Sequence, residues 1–237
     1  PVEVSGGLTF STLSAEDFVT CGVTTVGTGY CWGWNVLGQL GTRSMGTGGF
    51  VYRDAEGTTT PVPIGGNLTL AGITLGEEHA CGLTTGGTAH CWGWNGNGEF
   101  GNGDTFKEDY IWNPTAAAGG FTFSSLDAGG YFTCGLTPAG KAYCWGSNFF
   151  GQVGSPPTPP WDVVSPVEVA GGLTFSAISV GRYHTCGRTT GGAVYCWGLN
   201  NAGQLGNGGR TDIPGCGLAP SNDIPYCSVP VKVAGQP

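Results

Sequence analysis

The sequence predicts an all-β fold in which four antiparallel blades stack in series. Three observations carry this expectation. A segment that opens on cysteine and closes on glycine recurs four times, at Cys21–Gly41, Cys81–Gly101, Cys134–Gly154 and Cys186–Gly206. Of the 237 residues, 47 are glycine and 15 are proline, which suits short strands and tight turns and interrupts any stretch long enough for a long helix. Valine, leucine and aromatic residues recur in short clusters, so the composition is not that of a disordered chain. A unit of about 50–60 residues cannot bury its own apolar face, so neighbouring units must share a core.

Each unit reads the same way from its start. An apolar alternation comes first: LTFSTLSA from Leu8, LTLAGITLG from Leu68, FTFSSLDAG from Phe121 and LTFSAISVG from Leu173. A pair of cysteines follows, separated by a Thr/Gly-rich turn that places one opposite the other across a hairpin. The second cysteine opens CWG and then N-x-x-G-[QE]-[LFV]-G, where the glycines permit a tight loop and Asn35, Asn95, Asn148 and Asn200 serve as turn residues. A Pro-Val strand ends the unit at Pro61, Pro166 and Pro230, and is degenerate as NPTAA from Asn113. This makes three or four strands of about five residues per unit, the spacing of β-propeller blades. The expected architecture is a single domain over 1–237 with blades at 8–64, 68–117, 121–169 and 173–233. Trp32, Trp92, Trp145 and Trp197 are expected to pack between blades with their indole N–H groups bonded locally.

Residues 1–4 (PVEV) match an outermost strand without a blade and are assigned as a surplus edge strand. Three explanations stay open: a piece of a longer propeller, a closed four-bladed ring with a redundant edge, or a strand that pairs with another chain. The chain has no initiator methionine and no basic-then-apolar leader, which is the expectation for a processed or trimmed chain.

Ten cysteines make an ordered set: Cys21 with Cys31, Cys81 with Cys91, Cys134 with Cys144, Cys186 with Cys196, and Cys216 with Cys227 in the longest loop. Five local disulfides and an extracellular or cell-surface location are the expectation; reduced, buried thiols are the alternative. No close Cys-x-x-Cys pair suggests zinc.

GTGYCWGWNVLGQLG, GTAHCWGWNGNGEFG, GKAYCWGSNFFGQVG and GAVYCWGLNNAGQLG resemble repeats of the regulator of chromosome condensation family. The resemblance implies a propeller whose inner strand precedes the hairpin and whose Pro-Val strand lies outermost. The family's usual propeller has seven blades, against four units here. The paired cysteines resemble secreted bacterial versions. Family members include a chromatin-bound nucleotide-exchange factor and a secreted inhibitor that clamps a β-lactamase, so the resemblance implies a propeller able to grip a protein.

The formal net charge of −8 and the scatter of eight Lys and Arg exclude a phosphate-binding face, so no nucleic-acid partner is expected. No apolar run is long enough for membrane insertion. Neither a nucleophile elbow nor a phosphate loop occurs, and no cofactor or metal is expected. His79 and His184 occupy a position that elsewhere holds valine and phenylalanine, which marks packing histidines. Glu16, Asp17, Glu77, Glu78 and Asp127 are expected to rim a central channel as solvated charges, with weak cation binding as the alternative. The segments that vary between units hold the candidate binding residues Phe50, Tyr52, Phe106, Tyr110, Trp112, Trp161 and Tyr226. The functional expectation is a non-enzymatic, secreted or surface structural or protein-interaction module, within a larger repeat array or assembly. The alternative is a carbohydrate-binding propeller that uses the loop aromatics. Asn67-Leu68-Thr69 is a glycosylation acceptor if the source modifies secreted proteins.

Overall fold

A computed structural model describes residues 2–43, 49–52, 55–104, 110–159, 161–219 and 223–236, with the side chains of 49–52 and 55 left aside. The first sheet holds β1 (Phe10–Glu16), β2 (Val19–Thr24), β3 (Gly29–Trp34), β4 (Gly49–Tyr52) and β5 (Ala55–Pro63). The second holds β6 (Leu70–Leu75), β7 (His79–Thr84), β8 (Ala89–Trp94) and β9 (Tyr110–Ala116). The third comprises β10 (Ser125–Ala128), β11 (Phe132–Leu136), β12 (Ala142–Ser147) and β13 (Asp162–Glu168). The fourth comprises β14 (Phe175–Val180), β15 (His184–Thr189), β16 (Val194–Leu199), β17 (Cys216–Leu218) and β18 (Pro225–Lys232).

All four sheets are antiparallel: β6-β7-β8-β9 and β10-β11-β12-β13 are simple meanders, while in β1-β2-β3-β5-β4 and β14-β15-β16-β18-β17 the last strand in sequence pairs inside the one before it. The Pro-Val strands β5, β13 and β18 pair outside the CWG strands, and β9 does so at the degenerate unit. In the first and fourth sheets the variable segment adds a fifth strand beyond the expected four. Val2, Glu3 and Val4 are exposed and lie outside every strand, so these three residues pair with no blade among the described residues.

Local chemistry explains the recurring geometry. Thr24 closes the first cysteine hairpin: its Oγ1 donates to the Thr28 carbonyl and accepts the Thr28 amide, both at 3.1 Å. Thr137 and Thr189 do the same in the third and fourth units. The glycine of CWG sits at a register shift; at Gly93, where φ is +95°, a β-carbon would lie 2.6 Å from the Glu78 carbonyl oxygen. The Asn side chain beyond it builds the next turn, with Asn95 Oδ1 accepting the Phe100 amide at 3.0 Å and its counterparts doing the same for Leu40, Val153 and Leu205. Five disulfides staple the hairpins: Cys21–Cys31, Cys81–Cys91, Cys134–Cys144, Cys186–Cys196 and Cys216–Cys227.

The core lies between sheets rather than within one. One cluster combines Cys81, Cys91 and Phe100 of the second unit with Phe123 and Trp145 of the third. Burial of an aromatic side chain contributes about 2–3 kcal/mol. The tryptophan N–H groups are bonded across the unit boundary rather than locally. Trp92, Trp145 and Trp197 donate to the carbonyls of Gln39, Glu99 and Gln152 in the preceding unit, at 2.9, 2.7 and 3.0 Å. Backbone hydrogen bonds among the described residues run from first sheet to second, second to third and third to fourth, and none returns from the fourth to the first. The array is open.

Candidate functional site

The turns between the first and second strands of all four units converge at the inner end of the array. They enclose a cavity of about 130 Å³ lined by Glu16, Leu75–Glu77, Ala128–Gly130 and Val180–Arg182. Gly129 and Gly181 stand where the first unit carries Glu16, Gly130 stands where the first two carry Asp17 and Glu77, and a β-carbon at Gly129 would strike the Phe132 and Val180 side chains. Arg182 reaches across from the fourth unit to the second, where its Nη2 donates to Glu77 Oε2 at 3.0 Å and its Nε also pairs with the carboxylate. The Gly130 amide donates to the Arg182 carbonyl at 3.1 Å and fixes that turn.

Negative charge dominates around this one arginine. Partial burial first, and then Asp17 and Glu77, hold Glu16 above the ordinary carboxylate range, with Arg182 opposing. Partial burial, Glu77 and Asp17 do the same for Glu78. Burial and the neighbouring Glu78 and Glu77 push the Tyr131 hydroxyl up to about 12. Asp127, grouped by its sequence position with the rim, belongs elsewhere: its carboxylate accepts the Val180 amide at 2.8 Å and joins the third sheet to the fourth.

An aromatic ribbon leads outward from the cavity. The Tyr131 and Tyr183 rings lie 6.4 Å apart, Phe150 meets Tyr183 at 5.8 Å, Phe149 meets Phe150 at 4.9 Å, and Trp161 meets Phe149 at 5.8 Å. The Arg182 guanidinium lies 5.3 Å from the Tyr183 centroid. These rings are half-buried or exposed, and Trp161 retains 38% of its surface. On the first unit, Phe18 and Trp34 stack at 4.5 Å, again largely exposed.

The sequence-derived candidates separate. Trp161 joins the ribbon. Tyr110 and Trp112 meet edge to face at 6.1 Å on β9, where Arg43 lies 5.5 Å from the Trp112 centroid beside a second cavity of about 270 Å³. Tyr226 is a half-buried ladder residue opposite Leu199 and Gly217. Phe50 and Tyr52 lie on β4, whose pairing alone is described, and Phe106 falls outside the described residues. Tyr131, Tyr183, Phe149 and Phe150 lie inside the repeat rather than in the segments that vary between units, and so fall outside the sequence-derived candidates. A signal existed: Phe149-Phe150 fills the two variable places of N-x-x-G with rings in one unit only. His79 packs as expected, fully buried, with Nε2 2.9 Å from Thr133 Oγ1 and its pKa lowered by burial to about 3. No cluster of three or more His, Cys, Asp or Glu able to hold a metal occurs among the described residues.

Family profiles of the Regulator of chromosome condensation (RCC1) repeat match residues 71–99, 123–152 and 175–204, and a second such profile matches 139–187 and 191–237. The chain belongs to the RCC1 repeat family. The Ultraviolet-B receptor UVR8 of Arabidopsis thaliana is 30% identical over 185 residues, covering 77% of this chain and 40% of the receptor. Among solved structures, yeast RCC1 (Prp20) bound to Kap60 superposes with a TM-score of 0.76 at 20% identity, over 98% of this chain and 51% of that one. Prp20p of Saccharomyces cerevisiae, described with its binding properties to Gsp1p and histones, gives 0.72 at 20% identity, over 96% of this chain and 52% of that one. This chain therefore spans about half the length of those RCC1 propellers and less than half of the receptor.

Proposed function

We propose that this chain is a non-enzymatic protein-interaction module, secreted or displayed at a cell surface, which takes a cationic segment of its partner on the central face. The observation that carries the reading is the aromatic ribbon that runs from Trp161 to Tyr131, which meets the carboxylates of Glu77 and Glu78 beside the cavity that Glu16 and Glu77 line. Lysine and arginine bind aromatic faces and carboxylates together, and ring-rich patches on a rigid scaffold make effective anchors. The net charge of −8 steers cations toward this face. Prp20 has been solved with Kap60, and Prp20p is described with Gsp1p and histones, so a propeller of this repeat serves protein partners there. Five disulfides support an oxidising compartment.

Calorimetric titration with oligo-arginine, oligo-glutamate and soluble glycans tests the reading. Oligo-arginine binding that weakens with salt, and that falls in Tyr183→Ala and in Glu77→Gln paired with Glu78→Gln, is expected. Failure to bind oligo-arginine at low salt would overturn it. Saturable glycan binding lost in Trp161→Ala would put a carbohydrate in the partner's place.

A further inference from the structure

Each boundary between blades is held by one set of contacts, repeated three times. The carbonyls of Gly27, Gly87 and Gly140 accept the amides of Leu70, Phe123 and Phe175 in the following unit, each at 2.8 Å. The carbonyls of Gln39, Glu99 and Gln152 accept the next tryptophan, and those of Glu99 and Gln152 also accept Thr133 and Thr185 Oγ1, each at 3.1 Å. Ser14 Oγ, Thr74 Oγ1 and Asp127 Oδ2 accept the amides of Leu75, Ala128 and Val180 at 3.1, 3.1 and 2.8 Å. Close approach seals the joint: β-carbons at Gly38, Gly98 and Gly151 would lie within 3.2 Å of the next unit's outer strand.

Among the described residues, the first and fourth units display the two halves of this joint, uncovered. On the first unit, Trp32 and Thr20 hold the places of Trp145 and Thr133, half-exposed, and neither Trp32 Nε1 nor Thr20 Oγ1 has a partner among the described residues. Phe10 packs on Trp32 at 5.8 Å, matching Phe123 on Trp145 at 5.7 Å and Phe175 on Trp197 at 5.8 Å. Leu13, whose counterparts Leu126 and Ile178 pack into cores between blades, is 62% exposed. On the fourth unit, the Gly192 and Gln204 carbonyls and Ser179 Oγ have no partner among the described residues, and a β-carbon at Gly203 would meet nothing within 4 Å.

We propose that these end faces dock on each other, the fourth blade of one copy against the first blade of a second copy. In the joint so formed, Trp32 and Thr20 donate to the partner's Gln204 carbonyl, as their counterparts do within the chain. One position departs from the internal joints: the exposed Arg188 replaces Leu83 and Leu136, which pack beside Phe123 and Phe175. In the joint its guanidinium lies against the Phe10 ring, a cation–π contact, while it keeps the uncovered end soluble. Such a head-to-tail interface is heterologous and closes into a ring or continues as a chain of copies. It uses neither the acidic cavity nor the aromatic ribbon, so it stands or falls independently of the cationic partner.

Light scattering across a concentration series, with two variants, tests it. The wild-type chain is expected to exceed the mass of one copy as concentration rises, with weak dependence on salt. Leu13→Arg blocks the first-blade face and Ser179→Arg the fourth-blade face; both positions are exposed, so both variants should fold, and each alone should remain a single copy. Mixed together they retain one productive pair of faces and should form a one-to-one dimer, which also shows that both are folded. A wild-type chain that stays monomeric at its highest soluble concentration, association that survives in either variant, or a mixture that fails to dimerise while wild type associates would each overturn the proposal.

Discussion

Glu99 offers a pH-dependent test of how the blades are joined. It stands where the other units place Gln39, Gln152 and Gln204, and all four side chains accept the amide two residues earlier, at 2.8–2.9 Å. Its own carbonyl is the acceptor for Trp145 and Thr133. The side chain is fully buried, and burial raises its pKa from 4.5 to about 7, with Asp162 adding to the rise and hydrogen bonds from Asn97 opposing it. Because the folded-state value is the higher one, the carboxyl's contribution is fully present below about pH 4.5 and is lost as pH rises through about 7. The gap between these values corresponds to about 3 kcal/mol at alkaline pH. Glu99→Gln keeps the amide acceptor and removes the charge. It should leave stability nearly unchanged at about pH 4 and raise it by about 3 kcal/mol at about pH 8, read as the shift in urea-unfolding free energy. Gln152→Glu, the reverse exchange one blade later, should lose a comparable amount at about pH 8 only. A Glu99→Gln effect that is equal at both pH values, or destabilising at the higher, would refute the reasoning.

Three further outcomes follow from the same contacts. Trp145→Phe keeps most of the buried ring but removes the bond to the Glu99 carbonyl, and should cost about 1–2 kcal/mol in urea unfolding; Trp32→Phe, measured at dilution, should cost little. Replacing Cys134 and Cys144 together by alanine should lower stability by about 2–3 kcal/mol, and a reducing agent should lower the wild-type melting temperature. Phe100→Ala, which empties a fully buried site between the second and third blades, should cost about 3–5 kcal/mol by the same urea assay.

What was legible in the chain was whatever each unit does for itself. The cysteine hairpins, the Asn-built turns and the strand order all depend on residues a few places apart and written four times over. What crosses from unit to unit was not legible. The indole bonds of Trp92, Trp145 and Trp197 span 45–53 residues, and nothing in CWG says which carbonyl receives the N–H. Arg182 and Glu77 lie 105 residues apart and read as a substitution in one unit and an acidic pair in another, until the array curves them together. Asp127 looked like its acidic neighbours in composition, yet its place on the strand aims it at the Val180 amide. The aromatic ribbon was hidden for a related reason: its rings come from three turns and a loop, each carrying one or two, and only packing aligns them.

The central claim is an open array whose first blade presents an unfilled joint. Its most direct test is indole N–H exchange by NMR, recorded on the assigned tryptophans at a dilution where scattering shows a single copy. Trp92, Trp145 and Trp197 should exchange slowly, behind their carbonyl partners, while Trp32 exchanges fast. A Trp32 N–H as protected as the other three would mean that the array closes on itself, and would contradict the account.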